Sequence, residues 1–419
     1  MAQQQGLTDD NANDRACQQQ AGKNQQPHSG KPQEPSKCKQ EHGWRRIVRN
    51  FTPSWFAVNM GTGITSILIH QLPYTTSWLP YVSFAFFGLN ICLFLFFTCI
   101  TVLRYVLYPE IWAAMVNHPG QSLFLGTFPM GLCTIINMIV FSCSQWGDGV
   151  IYFAWGLWWF DVIVSLACCI SMPFIIMHRH KPQLEQTTAA LLLPVVPAIV
   201  ASASGGILAE HLPSTSHAVT TLVTSYALWG LGEAFAMCIL AMYFHRLMVH
   251  HLPPRELIVS VFLPVGPLGQ GGFAIQQLGK VAAALDFLPL PGSMVVTGGQ
   301  VLSALGVFLA LVMWGAGLGW LGLAATSIVT TQSFPFNMGW WGFTFPLGVF
   351  ATCTGMLAKE LDSVFFRVLT MLFSISVILL WLLVAVRTLL RARTGEMFVA
   401  PCLGDLRPKT QQADGDRTV

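Results

Sequence analysis

Residues Val364–Leu390 read VFFRVLTMLFSISVILLWLLVAVRTLL. The run is continuously apolar, without the strict alternation of a barrel strand, and its two arginines, Arg367 and Arg387, stand near its ends. About 20 such residues cross the hydrocarbon core of a bilayer as an α-helix. In lipid the backbone must bond to itself, so a helix is the form this run takes. Toward the N-terminus, comparable runs recur at 336–358, 295–329, 256–285, 217–248, 188–210, 150–177, 121–143, 80–107 and 52–72. The sequence therefore predicts an all-α polytopic membrane protein with ten transmembrane helices in a lipid bilayer.

Composition agrees with this. Of the 419 residues 53% are hydrophobic and 10% charged, where a soluble domain carries about a quarter charged residues. The net charge of +3 and the scattered basic residues point to no nucleic-acid partner. Eleven cysteines lie mostly inside apolar runs, without a CxxC pair, and read as free thiols. The first apolar run begins near Phe51, so no secretory signal is expected before it. Residues 1–43 are rich in Gln, Asn, Lys, Pro and Ser and read as a disordered N-terminal tail. Residues 396–419 read as a C-terminal tail, which leaves 44–395 as the ten-helix transmembrane domain.

Flanking charges orient the spans. With ten spans both termini share one side. Outside the tails that side collects 11 Lys and Arg residues, from Arg45 to Arg393, and the other side only 3: Lys280, Lys359 and Arg367. The positive-inside rule places both termini in the cytosol. The loops Pro73–Leu79, Ser144–Gly149 and His211–His217 then face outward.

The odd and even spans differ. Pro129, Pro194, Pro197, Pro264, Pro267 and Pro346 fall inside odd spans, and Gly61-Thr62-Gly63 stands in the first. Kinks at such residues free backbone groups that cannot face lipid. Five helical hairpins are expected, with inner (odd) kinked helices around a central pore and outer (even) helices facing lipid. Two echoes suggest internal repetition. Thr127-Phe128-Pro129-Met130-Gly131 returns as Thr344-Phe345-Pro346-Leu347-Gly348, and Pro194-Val195-Val196-Pro197 as Pro264-Val265-Gly266-Pro267.

No enzyme constellation is present: there is no HExxH, no GxSxG and no phosphate-binding glycine loop. No cofactor and no metal site are expected, and the histidines read as solvated loop residues. The odd spans offer neutral polar groups for a substrate pore: Asn59, Thr62, Thr127, Ser204, Gln270 and Thr344, with Thr65, Thr134 and Ser202 beside them. Hydroxyls, amides and helix N–H groups hold an anion weakly, which suits throughput. Each alone is equally a helix-packing group. Phe345 and Phe128, beside the echoed prolines, are candidate gates or ordinary core residues. Asp161 and Glu233, on even spans, either turn inward as structural groups or couple protons. Lys280 either snorkels or attracts anions.

Phe51-Thr52-Pro53-Ser54-Trp55-Phe56, followed by Asn59-Met60-Gly61-Thr62-Gly63, resembles the opening of the tellurite-resistance/dicarboxylate transporter family. The similarity continues through Asn337-Met338-Gly339-Trp340-Trp341 and Thr344-Phe345-Pro346, and covers about 44–395. The version here is most similar to the fungal branch that exports sulfite. The resemblance implies five inner helices around a pore closed by a phenylalanine of the ninth helix, which matches Phe345. It implies a homo-oligomer, a trimer in bacterial and plant members including the slow anion channel of guard cells, with a dimer also open. It implies sulfite or bisulfite as the exported anion and the plasma membrane as the location. A malate permease or a gated anion channel of the same fold, with the basic N-terminal tail as a phosphorylation target, is the alternative. A dicarboxylate calls for bidentate arginines, and no odd span carries one at its middle. A membrane-embedded enzyme or receptor is the reading from another class.

Overall fold

The computed structural model describes residues 43–180, 183–288 and 296–406. Among these residues ten long helices follow one another. They are α1 (Phe56–His70), α2 (Leu79–Leu107), α3 (Thr127–Cys143), α4 (Asp148–Arg179) and α5 (Val196–His211). Then come α6 (Thr215–His250), α7 (Val265–Ala284), α8 (Gly298–Thr331), α9 (Thr344–Glu360) and α10 (Val364–Arg393). No strand occurs among the described residues.

Eight of these, some lengthened by flanking turns, are long and apolar enough to cross a membrane. The chain is a multi-pass membrane protein. The two others, α1 and α5, have 15 and 16 residues, short of the roughly 20 that a span needs.

Burial separates two classes of helix. The most apolar windows of α2, α4, α6, α8 and α10 are only 17–33% buried, whereas those containing α3, α7 and α9 are 78–89% buried. In α1 and α5 nearly every residue is buried. Phe96, Phe153, Phe308 and Leu379 stand exposed on the even helices, as side chains solvated by lipid tails would. The odd helices pack on one another, α7 on α5 and α9, and α1 on α3 and α9.

The expected proline kinks are not what the structure has. Pro129, Pro197, Pro267 and Pro346 each stand in the first turn of α3, α5, α7 and α9. The chain before each of those helices is 3-10: Ser122–Gly126, Ala189–Leu192, Arg255–Phe262 and Met338–Phe343. Pro53–Trp55 does the same ahead of α1. A first-turn residue has no intrahelical acceptor for its N–H, so proline sacrifices nothing there. The odd elements are therefore broken helices with fresh N-termini. The glycines of α1 cause no kink either. A Cβ at Gly61 would lie 2.5 Å from Thr344 Oγ1 and 2.7 Å from the Trp341 ring, so glycine serves close approach between α1 and the start of α9.

The chain also stays packed beyond 395. Phe398 stacks on Trp55 at 5.1 Å, the Ala400 N–H donates to Asn50 Oδ1 at 3.3 Å, and Cys402 is buried beside Arg104. The tail expected from 396 is thus docked as far as it is described. Residues 1–42 and 407–419 lie outside the described residues.

Candidate functional site: two cavities along the odd helices

Two cavities lie at opposite ends of the odd helices. The first, about 860 Å³, is lined by the N-terminal turns: Ala57 and Met60 of α1, Met130 of α3, Val196 of α5, Pro267 of α7 and Phe345 of α9. The second, about 820 Å³, is lined by the C-terminal turns, including His70 of α1, Glu210 of α5, Lys280 of α7 and Lys359 of α9. Each odd helix thus runs in the same direction, from the first cavity toward the second.

Helical spacing identifies what lies between. Residues three and four apart share a face. On α7, Pro267 lines the first cavity and Phe273 and Gln277 the second, so Gln270 stands between them on that face. The same step places Ile64 on α1, Asn137 on α3, Val200 and Ala203 on α5, and Val349 on α9. All of these are buried. The two cavities are separated by a short, mostly apolar section carrying two amides. The Gln270 side chain makes no hydrogen bond among the described residues and is 5% exposed, and Asn137 Oδ1 is buried with no partner among them.

The deepest lining residue that α9 gives the first cavity is in its opening turn, where Phe345 is 4% exposed. Five 3-10 segments turn into helices around this cavity. Their backbone N–H groups and positive dipole ends make it favourable to anions.

The family described as the SLAC1 voltage-dependent anion channel matches residues 50–389. The chain belongs to this family. Among relatives, the sulfite efflux pump SSU1 of Arthroderma otae is 48% identical over 368 residues, covering 86% of this chain and 96% of that protein. That of Saccharomyces cerevisiae is 24% identical, covering 72% and 78%. The malic acid transport protein of Schizosaccharomyces pombe is 25% identical, covering 80% and 77%. As a SLAC1-family member the chain is a membrane transport protein, and its polar residues sort by which side of the odd helices they occupy.

Thr127 and Phe345 line the first cavity, and Gln270 lies between the cavities. Asn59 and Thr62 face the other way. Asn59 Nδ2 donates to Asn90 Oδ1 of α2 at 3.1 Å, and Asn90 Nδ2 donates to Thr134 of α3 at 3.0 Å. Thr62 Oγ1 accepts from Trp381 Nε1 of α10 at 3.0 Å and donates to the Val58 carbonyl. Thr344 donates to the Trp341 carbonyl. Thr127 donates to the Phe124 carbonyl in the same way, so each echoed threonine closes its own 3-10 to α junction. Ser202 and Ser204 are buried and line neither cavity. Phe128 lies in an aromatic cluster, its ring 5.1 Å from Phe56 and 5.2 Å from Phe94 of α2.

The two mid-span carboxyls of the even helices, Asp161 and Glu233, turn inward. Asp161 Oδ2 accepts from Cys133 Sγ at 3.0 Å and from Ser165 Oγ at 3.2 Å. Glu233 is buried between α6 and α7 with no partner for either oxygen. It lies against Gly271, whose carbonyl accepts from Trp229 at 3.0 Å. Neither carboxyl lines either of these two cavities. Asn137, Phe273 and Thr352 are cavity-face residues that residue type alone does not reveal, because each is an ordinary helix residue until the face is fixed.

Proposed function

We propose that this chain exports sulfite or bisulfite across the plasma membrane, from the first cavity to the second. The observation that carries this is the pair of cavities on parallel broken helices in a chain 48% identical to fungal proteins named sulfite efflux pumps. In this reading ten helices cross the bilayer as five hairpins, with α1 and α5 completed by the turns before them. The odd helices form the inner ring around the pathway and the even ones face lipid. The termini lie in the cytosol, as the positive charges suggest, so the first cavity opens inward. Anions collect there on helix N-termini, as in other transporters with discontinuous helices. Gln270 and Asn137 offer amide N–H groups across the closed section, and Phe345 blocks access to it. The protein acts as a homo-oligomer, a trimer or a dimer, with one pathway in each chain.

Malate is the competing cargo within this fold. Two separated carboxylates favour bidentate guanidinium partners. The described residues between the cavities include no arginine, which favours the smaller anion. Purified protein in liposomes decides between them, with flux of sulfite, malate, nitrate and chloride compared under an imposed voltage. Sulfite flux exceeding that of malate is expected. Malate flux without sulfite flux, or no anion flux above empty liposomes, overturns the proposal. Tags on both termini of intact cells should be reached only after permeabilisation.

A further inference from the structure

The second cavity lies where the C-terminal ends of the odd helices converge. Helix C-termini carry partial negative charge, so an anion there is repelled unless cations offset it. Lys280, the lysine whose position in the sequence suggests such a role, is already engaged. Its Nζ lies 2.7 Å from Glu210 Oε1, and Gln277 Nε2 donates to Glu210 Oε2 at 2.7 Å. Arg367 is paired with Asp362, and His211 Nδ1 is bonded to the Ile207 carbonyl at 2.9 Å.

Two groups remain. The Lys359 side chain lines the cavity and makes no ion pair or hydrogen bond among the described residues. His70 lines the same cavity with its Nδ1 buried and without a partner. Its ring is stacked on Phe141 at 6.0 Å and 14°, which fixes its orientation. His70 and Lys359 stand in the last turns of α1 and α9, helices that pack together. Glu360, the remaining acidic lining residue, is exposed and forms no ion pair among the described residues.

We propose that Lys359 and His70 form an anion subsite in the second cavity, fitted to a small oxyanion with one oxygen on the ammonium and another on the imidazole N–H. Glu210 acts beside it as a tethered carboxylate. It occupies Lys280 and Gln277, which would otherwise add to the site. The subsite is thereby kept to one free ammonium, weak enough for the anion to leave. This rests on the chain being an anion transporter, but not on which anion it exports.

The test is thermal unfolding of the purified full-length chain in rising sodium sulfite or sodium nitrate, with sodium gluconate at equal ionic strength as the baseline. Saturable stabilisation of the wild type by sulfite is expected. Lys359→Gln should raise the half-saturating concentration about tenfold, the size of one lost charge-assisted hydrogen bond. Lys359→Arg should keep most of the binding, and Glu210→Gln should tighten it by freeing Lys280. His70→Gln supplies a second reading if Lys359→Gln unfolds in gluconate. A Lys359→Gln protein that saturates at the wild-type concentration overturns the subsite, as does a wild type stabilised by neither anion. Saturable binding without flux in liposomes would instead overturn the transport proposal and leave the subsite standing.

Discussion

Phe345 and Asn59 show how two residues on inner helices part ways. Phe345 is buried against a cavity and not against close-packed neighbours on every side. Truncating an ordinary core phenylalanine costs about 3–5 kcal/mol. Phe345→Ala should cost less than that and should raise anion flux per folded molecule, whereas Phe345→Leu should raise it little. Flux per folded molecule unchanged in Phe345→Ala would make the residue simply part of the core. Asn59→Ala behaves oppositely. It leaves Asn90 without its donor, and such interhelical bonds in membranes are worth about 1 kcal/mol. A lower melting temperature with unchanged anion selectivity is expected. A selectivity change at equal stability would return Asn59 to the pathway. Residue type announced both as polar or aromatic groups on inner helices. Which way each points was not legible, because a neighbouring position is turned by about 100°, and only the packed face decides between Met60 and Asn59.

At the level of elements, the prolines carried more information than kinks. The echoed Thr-Phe-Pro segments mark helix starts, with Thr127 and Thr344 the first residues of α3 and α9. A proline three residues into an apolar run reads equally as a kink in one helix or as the start of another. Only the 3-10 segment before it distinguishes them, and 3-10 turns have no strong sequence signature. The apolar runs themselves were legible, since length and hydropathy are sufficient for the long even helices. α1 and α5 are harder to bound, being short and buried. Close packing of the odd helices depends on glycines whose role is invisible in sequence. A Cβ at Gly269 of α7 would lie 2.7 Å from both the N and the Cα of Phe350 in α9. Backbone cannot rotate aside, so Gly269→Ala must push α7 and α9 apart, at about 1–3 kcal/mol. Loss of folded protein, or a lower melting temperature with altered flux, is expected. Gly156, on the exposed face of α4, meets nothing within 4 Å, and Gly156→Ala is the matched control. Equal melting temperatures for the two variants would refute the close contact.

For the whole molecule the open matter is what drives export. An inside-negative membrane favours anion exit by about 2.3 kcal/mol per charge per 100 mV. A passive path at that voltage could expel a monovalent anion roughly fiftyfold against its gradient, since about 1.4 kcal/mol is a factor of ten. A doubly charged sulfite would gain twice the free energy. Proton coupling needs a titratable group that meets both the pathway and solvent. Asp161 and Glu233 line neither cavity, and Asp161 is tied to Cys133 and Ser165. Glu210 does line the second cavity, but Lys280 and Gln277 hold it. Voltage-driven, uncoupled export is therefore expected. In liposomes with equal pH on both sides, sulfite movement should follow the imposed voltage and reverse when the voltage reverses. Protein-free liposomes must run beside the sample, because dissolved sulfur dioxide crosses membranes unaided and interconverts with sulfite as pH changes. Accumulation driven by a pH gradient at zero voltage, abolished by Glu233→Gln or Asp161→Asn in folded protein, would defeat the uncoupled mechanism. Loss of accumulation in Glu210→Gln alone would instead move the coupling proton into the second cavity, where the carboxylate already bridges two inner helices.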